Sequence, residues 1–261
     1  MLSAAYWFGE PFAALTAELR SHRLHRLLLT DPVIHRAWTK PRGYAGDPET
    51  LDLICDHAIP PGTPALAAAM LEATRRTVAS AALRHRRERL AERLEAVWRA
   101  GGRVCVLACG HLREADALAG EHLGSLVAVD HDLRSIERVY QRFGASPQLI
   151  EAKVVRFLRQ ARREGRTFDL ICASGLAERC TDRELVLLQR LMRDCLAPRG
   201  EIVLADFAPD HDSAGWMEAV MDWRPVYRSD HVMHRLAACA DLRSRSQRDP
   251  TATIAFHHLS A

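Results

Sequence analysis

Gly110 and Asp130 stand twenty residues apart, each closing an apolar run, and this pair is the chain's clearest signature of chemistry. The run Val104-Cys105-Val106-Leu107-Ala108 empties into Cys109-Gly110. The second run, within Ser125 to Asp132, ends at Asp130. An amphipathic helix is predicted between them, starting near Leu112. Such a strand–turn–helix–strand unit suits a nucleotide cofactor. The turn glycine lets backbone approach the ligand, the helix N-terminus faces it, and the acid takes the ribose hydroxyls. One glycine stands where a dinucleotide fingerprint has three. A pyrophosphate needs those extra close approaches, whereas S-adenosylmethionine (SAM) has no phosphate. The spacing therefore implies a SAM site rather than a dinucleotide site.

Other residues join this candidate site by position. Ala108 and Cys109 share the turn with Gly110, and His131 follows the ribose acid. Arg113, in the first turn of the predicted helix, could reach a carboxylate, while Glu114 there complements the helix dipole. The run Phe168 to Ala173 empties into Ser174-Gly175-Leu176, and ligands of open α/β sheets lie beyond strand C-termini at the switch point, so Ser174 and Gly175 should line the site. A further run ends at Asp206, either a substrate-facing carboxylate or a capping acid. At Ala152-Lys153-Val154 no carboxylate is available for an adenine amine, which leaves that recognition to backbone groups.

The elements that must position these residues read as α/β. Strands are predicted at 103–109, 125–130, 147–151, 168–173 and 201–206, with helices between them at about 112–122, 132–142, 153–164 and 182–196. This alternation means a doubly wound parallel sheet. Two helices near 213–222 and 230–240 follow, then two strand-like runs at 242–248 and 252–259 that form an antiparallel ending, for seven strands in all. Before the sheet, residues 65–99 carry one long helical pattern stopped by Gly101-Gly102. Residues 1–63 read as short helices and loops that form a unit distinct from 64–261. The pattern Phe12, Leu15, Leu19 marks one helix and Leu24, Leu27, Leu28 another. Asp31-Pro32 is a cap and first-turn pair opening a third. Lys40 to Pro48, with two prolines and two glycines, specifies an irregular loop.

Composition sets mild bounds. The 261 residues, 48% hydrophobic and 26% charged, describe an ordinary globular protein, and a formal charge of +3 gives no case for a nucleic-acid partner. The basic segment Arg84 to Arg89 reads as a solvated helix face, with Arg84/Glu88 and Glu95/Arg99 spaced as i,i+4 pairs. Seven cysteines form no CxxC pair, and no membrane span or secretory leader is evident, so reduced thiols in a cytoplasmic protein are expected. Cys109 has no visible basic partner and reads as a small turn residue, not a nucleophile. Trp216, Trp223 and Tyr227 read as core packing.

Four segments carry a resemblance: Lys40-Pro41-Arg42-Gly43-Tyr44-Ala45-Gly46-Asp47, residues 108–116, residues 168–176, and residues 206–228 with Met221-Asp222-Trp223 and Tyr227-Arg228. Together they resemble a bacterial group of class I SAM-dependent methyltransferases that includes enzymes assigned to making 3-hydroxy fatty acid methyl esters. The resemblance implies a helical N-terminal lid over a Rossmann-like core. Arg42 and Tyr44 would then reach from the lid loop to the cofactor, with Gly43 and Gly46 letting the backbone fold over it. The implied reaction is methyl transfer to a small-molecule or acyl-type substrate, with His111, Asp206 and Tyr44 as candidate bases. The chain departs from the group after the fourth strand, where Ala177-Glu178-Arg179 replace two aromatics, and at Asp206, often Asn. These departures keep open a rival, attack on the aminobutyrate arm of SAM with release of methylthioadenosine. Monomer and homodimer both remain open.

Methyl transfer from a sulfonium requires neither a Lewis acid nor a covalent enzyme intermediate, and no His, Asp or Glu set has metal-ligand spacing. Turnover should therefore survive EDTA, and Cys109→Ala should keep most of its activity. Loss on chelation, restored by one particular divalent ion, would show a metal-assisted reaction instead.

Overall fold

The computed structural model describes residue 18 and residues 22–56 and 58–261, so the pattern Phe12, Leu15, Leu19 lies outside the described residues. Seven strands form one sheet: β1 (Val104–Leu107), β2 (Leu126–Asp130), β3 (Gln148–Glu151), β4 (Phe168–Ser174), β5 (Leu196–Phe207), β6 (Arg243–Arg248) and β7 (Ile254–Ser260). Their order is β3-β2-β1-β4-β5-β7-β6. The first five run parallel, and β7 inserts antiparallel between β5 and β6. Strand order reverses between β1 and β4, so a crevice opens beyond their C-terminal ends, where Gly110 and Ser174 lie.

Both faces of the sheet are covered. Along β1, Val104 and Val106 face one core, with Leu126, Ala128, Leu170, Cys172, Val203 and Ala205. Cys105 and Leu107 face the other, with Val127, Val129, Ile171, Ala173, Ile202 and Leu204. This period-two alternation of wholly apolar residues is what a parallel sheet buried on both sides demands. The second core is closed by α7 (Val154–Arg163), α8 (Asp182–Arg193) and α10 (Asp230–Cys239). The first is closed partly by N-terminal helices: Val33, Ile34, Ile54, Leu71, Leu83, Leu90 and Leu94 belong to it.

Those helices are α1 (Arg23–Leu28), α2 (Pro32–Thr39), α3 (Pro48–Cys55), α4 (Ala65–Arg75) and α5 (Val78–Arg99). The pattern over 65–99 is thus two helices, not one. Thr77, in extended conformation, caps α5 by accepting the Ser80 amide, which requires the chain to leave the helix at Arg76-Thr77. A second correction bears on the site. No α-helix follows β1. Leu112 is left-handed at φ 50°, and Gly120 at φ 93°, so only a six-residue 3-10 stretch, Arg113–Leu118, fits between them. The predicted helix N-terminus behind Gly110 is therefore missing. Helices α6 (Leu133–Phe143) and α9 (Ala214–Val220) complete the fold.

Asp31 joins two of the lid helices. Its fully buried carboxylate accepts the Val33 amide at 2.7 Å, as an N-cap does, and its other oxygen takes the Thr74 hydroxyl from α4. Asp31→Ala removes the cap and orphans a buried hydroxyl. It should destabilise the protein by about 2–4 kcal/mol in denaturant titration. A loss below about 0.5 kcal/mol would show that the α2–α4 junction rests on apolar packing alone.

Candidate active site

The crevice beyond β1 and β4 is a cavity of ≈ 820 Å³ roofed by the N-terminal helices. Its walls include Ala108, Cys109, Gly110, His111, Arg113, Asp130, His131, Ser174, Gly175 and Tyr44. The structure thus brings together nearly all the residues that the sequence assigned to cofactor and chemistry. Arg42 and Asp206 are the exceptions.

The cradle is built from backbone. Ala108, Gly110 and Leu112 are all left-handed, with φ of 51°, 51° and 50°. Asp130, itself buried, fixes this turn by accepting the Gly110 amide at 2.8 Å, while its second oxygen accepts the Asp132 amide at 2.9 Å. Gly110 is needed for its φ and for space. A Cβ here would sit 3.0 Å from Pro48 Cγ, so the first neighbour it meets is the lid helix. Cys109 is buried, and burial pushes its thiol well above the usual range, as expected of a turn residue and not of a nucleophile.

Helix α3 forms the roof. Asp47 caps it through the Thr50 amide and is clamped by Arg36 at 2.8 and 2.7 Å. Pro48, Leu51, Asp52 and Cys55, spaced i, i+3, i+4 and i+7, present one stripe to the cavity. Asp52 receives Arg113 Nε at 2.7 Å and His111 Nδ1 at 2.8 Å. Burial pushes the Asp52 carboxyl up, but bonds from His111 and Arg113 outweigh it and hold it below its ordinary value. With Nδ1–H donated to Asp52, Nε2 of His111 is the accepting nitrogen, and it lies 3.4 Å from Arg42 Nη2.

Arg42 does not line the cavity. Its guanidinium is engaged by Glu49, by Asp132 at 3.0 Å and by Ser135 at 2.7 Å, in a polar groove on the outer side of His111. Its carboxylate partners belong to the protein. Tyr44 does face the cavity, beneath the Arg179 guanidinium at 3.7 Å. Burial pushes the Tyr44 phenol up, against the pull of the Arg179 charge. Gly46 lies so close to Trp223 that a Cβ would reach within 2.2 Å of its ring.

Asp206 is buried behind the cavity wall. Its Oδ1 accepts the Glu178 amide at 3.2 Å, and its Oδ2 has no partner. Glu178, also buried, accepts the Phe207 amide at 3.2 Å. Burial, then the Glu178 charge, pushes the Asp206 carboxyl up to about 7. It does not line either the first cavity or the second.

The basic segment 84–89 also departs from expectation. Arg86 is 4% exposed, and with Leu83 and Arg87 it lines the cavity from α5. Arg84 donates to the Ile54 carbonyl instead of pairing with Glu88, while Glu95–Arg99 pairs as expected at 2.7 Å. Trp223 is buried against Phe207 at 5.6 Å, but Trp216 is 43% exposed and not core. Asp52, Arg86 and Arg179 were missed. The i, i+3, i+4 stripes on α3 and α5 were the available signal, and their charged members disguised them as solvent faces.

A methyltransferase-domain family profile matches residues 82–242, from the middle of α5 through β5 and α10. The chain belongs to the methyltransferase-domain family. SAM is the cofactor of this methyltransferase, and its fold is that of class I enzymes. Among solved structures, a possible exported protein from Bordetella parapertussis aligns over 100% of both chains at 18% identity and a TM-score of 0.66. Magnesium protoporphyrin IX methyltransferase from Synechocystis PCC 6803, solved with bound SAH, aligns over 71% of this chain and 88% of its own at 12% identity and TM-score 0.52. The CcbJ methyltransferase from Streptomyces caelestis aligns over 67% and 89% at 14% identity and TM-score 0.51. These likenesses concern the fold. No curated protein sequence matches the chain. No helix among the described residues is long and apolar enough to cross a membrane.

A raised carboxyl stabilises the fold below the pKa of the unfolded chain, near 4, and that stability is lost as pH rises through the folded value of about 7. Thermal melts of the wild type should therefore fall, relative to Asp206→Asn, between pH 5 and pH 8. Parallel pH profiles for the two proteins would refute the buried-acid assignment.

Proposed function

We propose that this enzyme methylates a small-molecule acceptor of acyl type, within the group typified by 3-hydroxy fatty acid methyl ester synthases. The observation that carries this reading is a second cavity of ≈ 580 Å³ whose walls are mostly apolar. Ile54, Ala79, Leu83, Phe207, Met217 and Trp223 line it, and Leu83 is shared with the cofactor cavity. An apolar tail in the second chamber places its polar head at the first. The four sequence segments that carry the resemblance supply the cradle, the lid and the walls of this junction.

SAM brings a methyl group already activated on a sulfonium. The protein's part is alignment and exclusion of water. Asp130 and the turn at Gly110 serve the ribose and the backbone side of the cofactor, His131 its outer rim, and Ser174 and Gly175 the opposite wall. The segment before residue 64 acts as the lid, with α3 as its seal. For a hydroxyl acceptor, His111 on the cavity wall is the candidate base, held by Asp52 through Nδ1, and its Nε2 would have to leave the Arg42 side to meet the acceptor. A carboxylate acceptor is nucleophilic at neutral pH and needs none. The buried free thiols, among them Cys105, Cys172 and Cys195, suit a reducing cytoplasm.

Mass spectrometry after incubating the protein with SAM, then with SAM and a metabolite extract, tests this reading. S-adenosylhomocysteine together with an acyl metabolite heavier by one CH2 is the expected result. Methylthioadenosine as the released thioether would assign the chain instead to aminobutyrate-arm chemistry.

A further inference from the structure

Two opposite charges, Arg86 and Glu114, line the cofactor cavity and make no hydrogen bond to any other residue among those described. Arg86 projects from α5 one turn beyond Leu83 and is buried, yet its Nη1 has no hydrogen-bond partner. Its guanidinium lies 5.9 Å from the centre of the Phe207 ring, and Nη1 is 3.6 Å from the point a Cβ of Gly175 would occupy. Glu178 and Asp206 stand nearby, but Glu178 accepts the Phe207 amide, Asp206 accepts the Glu178 amide, and neither bonds Arg86.

Glu114 occupies the other wall, in the 3-10 stretch after the Gly110 turn. It lines the same cavity as Cys109, beyond β1, and Ser174, at the end of β4. No other residue among those described donates a hydrogen bond to it. Burial pushes its carboxyl up, and its own backbone amide, then the charges of Arg86, Arg87 and Arg142, pull it back.

An arginine removed from water without a partner costs several kcal/mol, as does a carboxylate, and proteins keep such groups where a ligand supplies the missing partner. A guanidinium matches a carboxylate in a two-point contact, and a carboxylate matches an ammonium. A ligand carrying both charges on one carbon satisfies both walls at once. The aminobutyrate arm of SAM ends in such an α-amino acid group.

We propose that Arg86 and Glu114 form the subsite for the amino-acid end of SAM, with Arg86 holding its carboxylate and Glu114 its ammonium. This rests on SAM being the cofactor. It assigns to the helix before the sheet a role that the loop arginine, Arg42, cannot fill, because Arg42 is spent on Glu49 and Asp132. It also explains why Arg86 is the buried arginine of the 84–89 run.

Calorimetry with two commercially available thioethers isolates the subsite. S-adenosylhomocysteine carries the amino-acid group and 5′-methylthioadenosine lacks it, while adenine and ribose are common to both. The wild-type protein should bind the former at least about tenfold more tightly, the scale of one charged hydrogen bond. Arg86→Met and Glu114→Gln should each weaken S-adenosylhomocysteine by about tenfold or more and leave methylthioadenosine within about threefold. Arg86→Lys should recover part of the loss, and thermal melts of each variant confirm folding. Equal weakening of both ligands, or unchanged S-adenosylhomocysteine binding in folded Arg86→Met and Glu114→Gln proteins, overturns the proposal. Wild-type protein that binds both thioethers alike overturns it while leaving the cofactor reading intact. If the wild type binds neither S-adenosylhomocysteine nor SAM, the cofactor reading itself fails.

Discussion

The carboxylate of Asp130 is the interaction on which the cavity's shape depends. It closes β2 and reaches across to the turn that closes β1, accepting the amides of both Gly110 and Asp132. Two neighbouring strands thus end in loops that share one acceptor. The left-handed conformations at Ala108, Gly110 and Leu112 are held in place by that acceptor and by the Val129–Cys109 backbone bond. The turn's own bonds consume the Cys109, Gly110 and Leu112 amides, so the turn offers a ligand open space at Gly110 in place of the donors of an α-helix N-terminus.

Above this floor the roof is electrostatic. Asp47 caps α3 and is gripped by Arg36, Asp52 gathers His111 and Arg113, and Glu49 meets Arg36 and Arg42. These side chains are partly buried, so each pair is screened less than a surface pair would be. The N-terminal helices are therefore joined to the floor by hydrogen-bonded ions, whereas Val33, Ile34 and Leu71 share an apolar cluster with one face of the sheet, which α5 contacts directly. Packing holds the lid on, and charge sets its register over the cavity.

The sheet was readable from sequence because a buried parallel strand must be apolar on both faces, and runs such as Phe168 to Ala173 leave no other reading. The antiparallel ending was readable as two strand-like runs in succession, 242–248 and 252–259, with no helical pattern between them. The stretch after Gly110 was misread because 3-10 and α-helical segments share their residue preferences, and the left-handed Leu112 that separates them leaves no compositional mark. Arg86 was misread for a different reason. A buried arginine whose partner is a ligand looks, in sequence, like any other member of a basic run. Asp206 failed by one step of geometry, since a strand's last residue can face the crevice or the layer behind it.

Lys40 reaches Asp222 at 2.6 Å, and Gly46 seats against the Trp223 ring, joining positions 182 residues apart in the first case. The loop of Lys40 to Asp47 and the Met221-Asp222-Trp223 segment are consequently two halves of one moulded joint. A larger residue at 46 demands a smaller one at 223, and a reversed charge at 40 demands its mirror at 222. Anyone transplanting residues 40–47 into another protein of this fold must carry both pieces together.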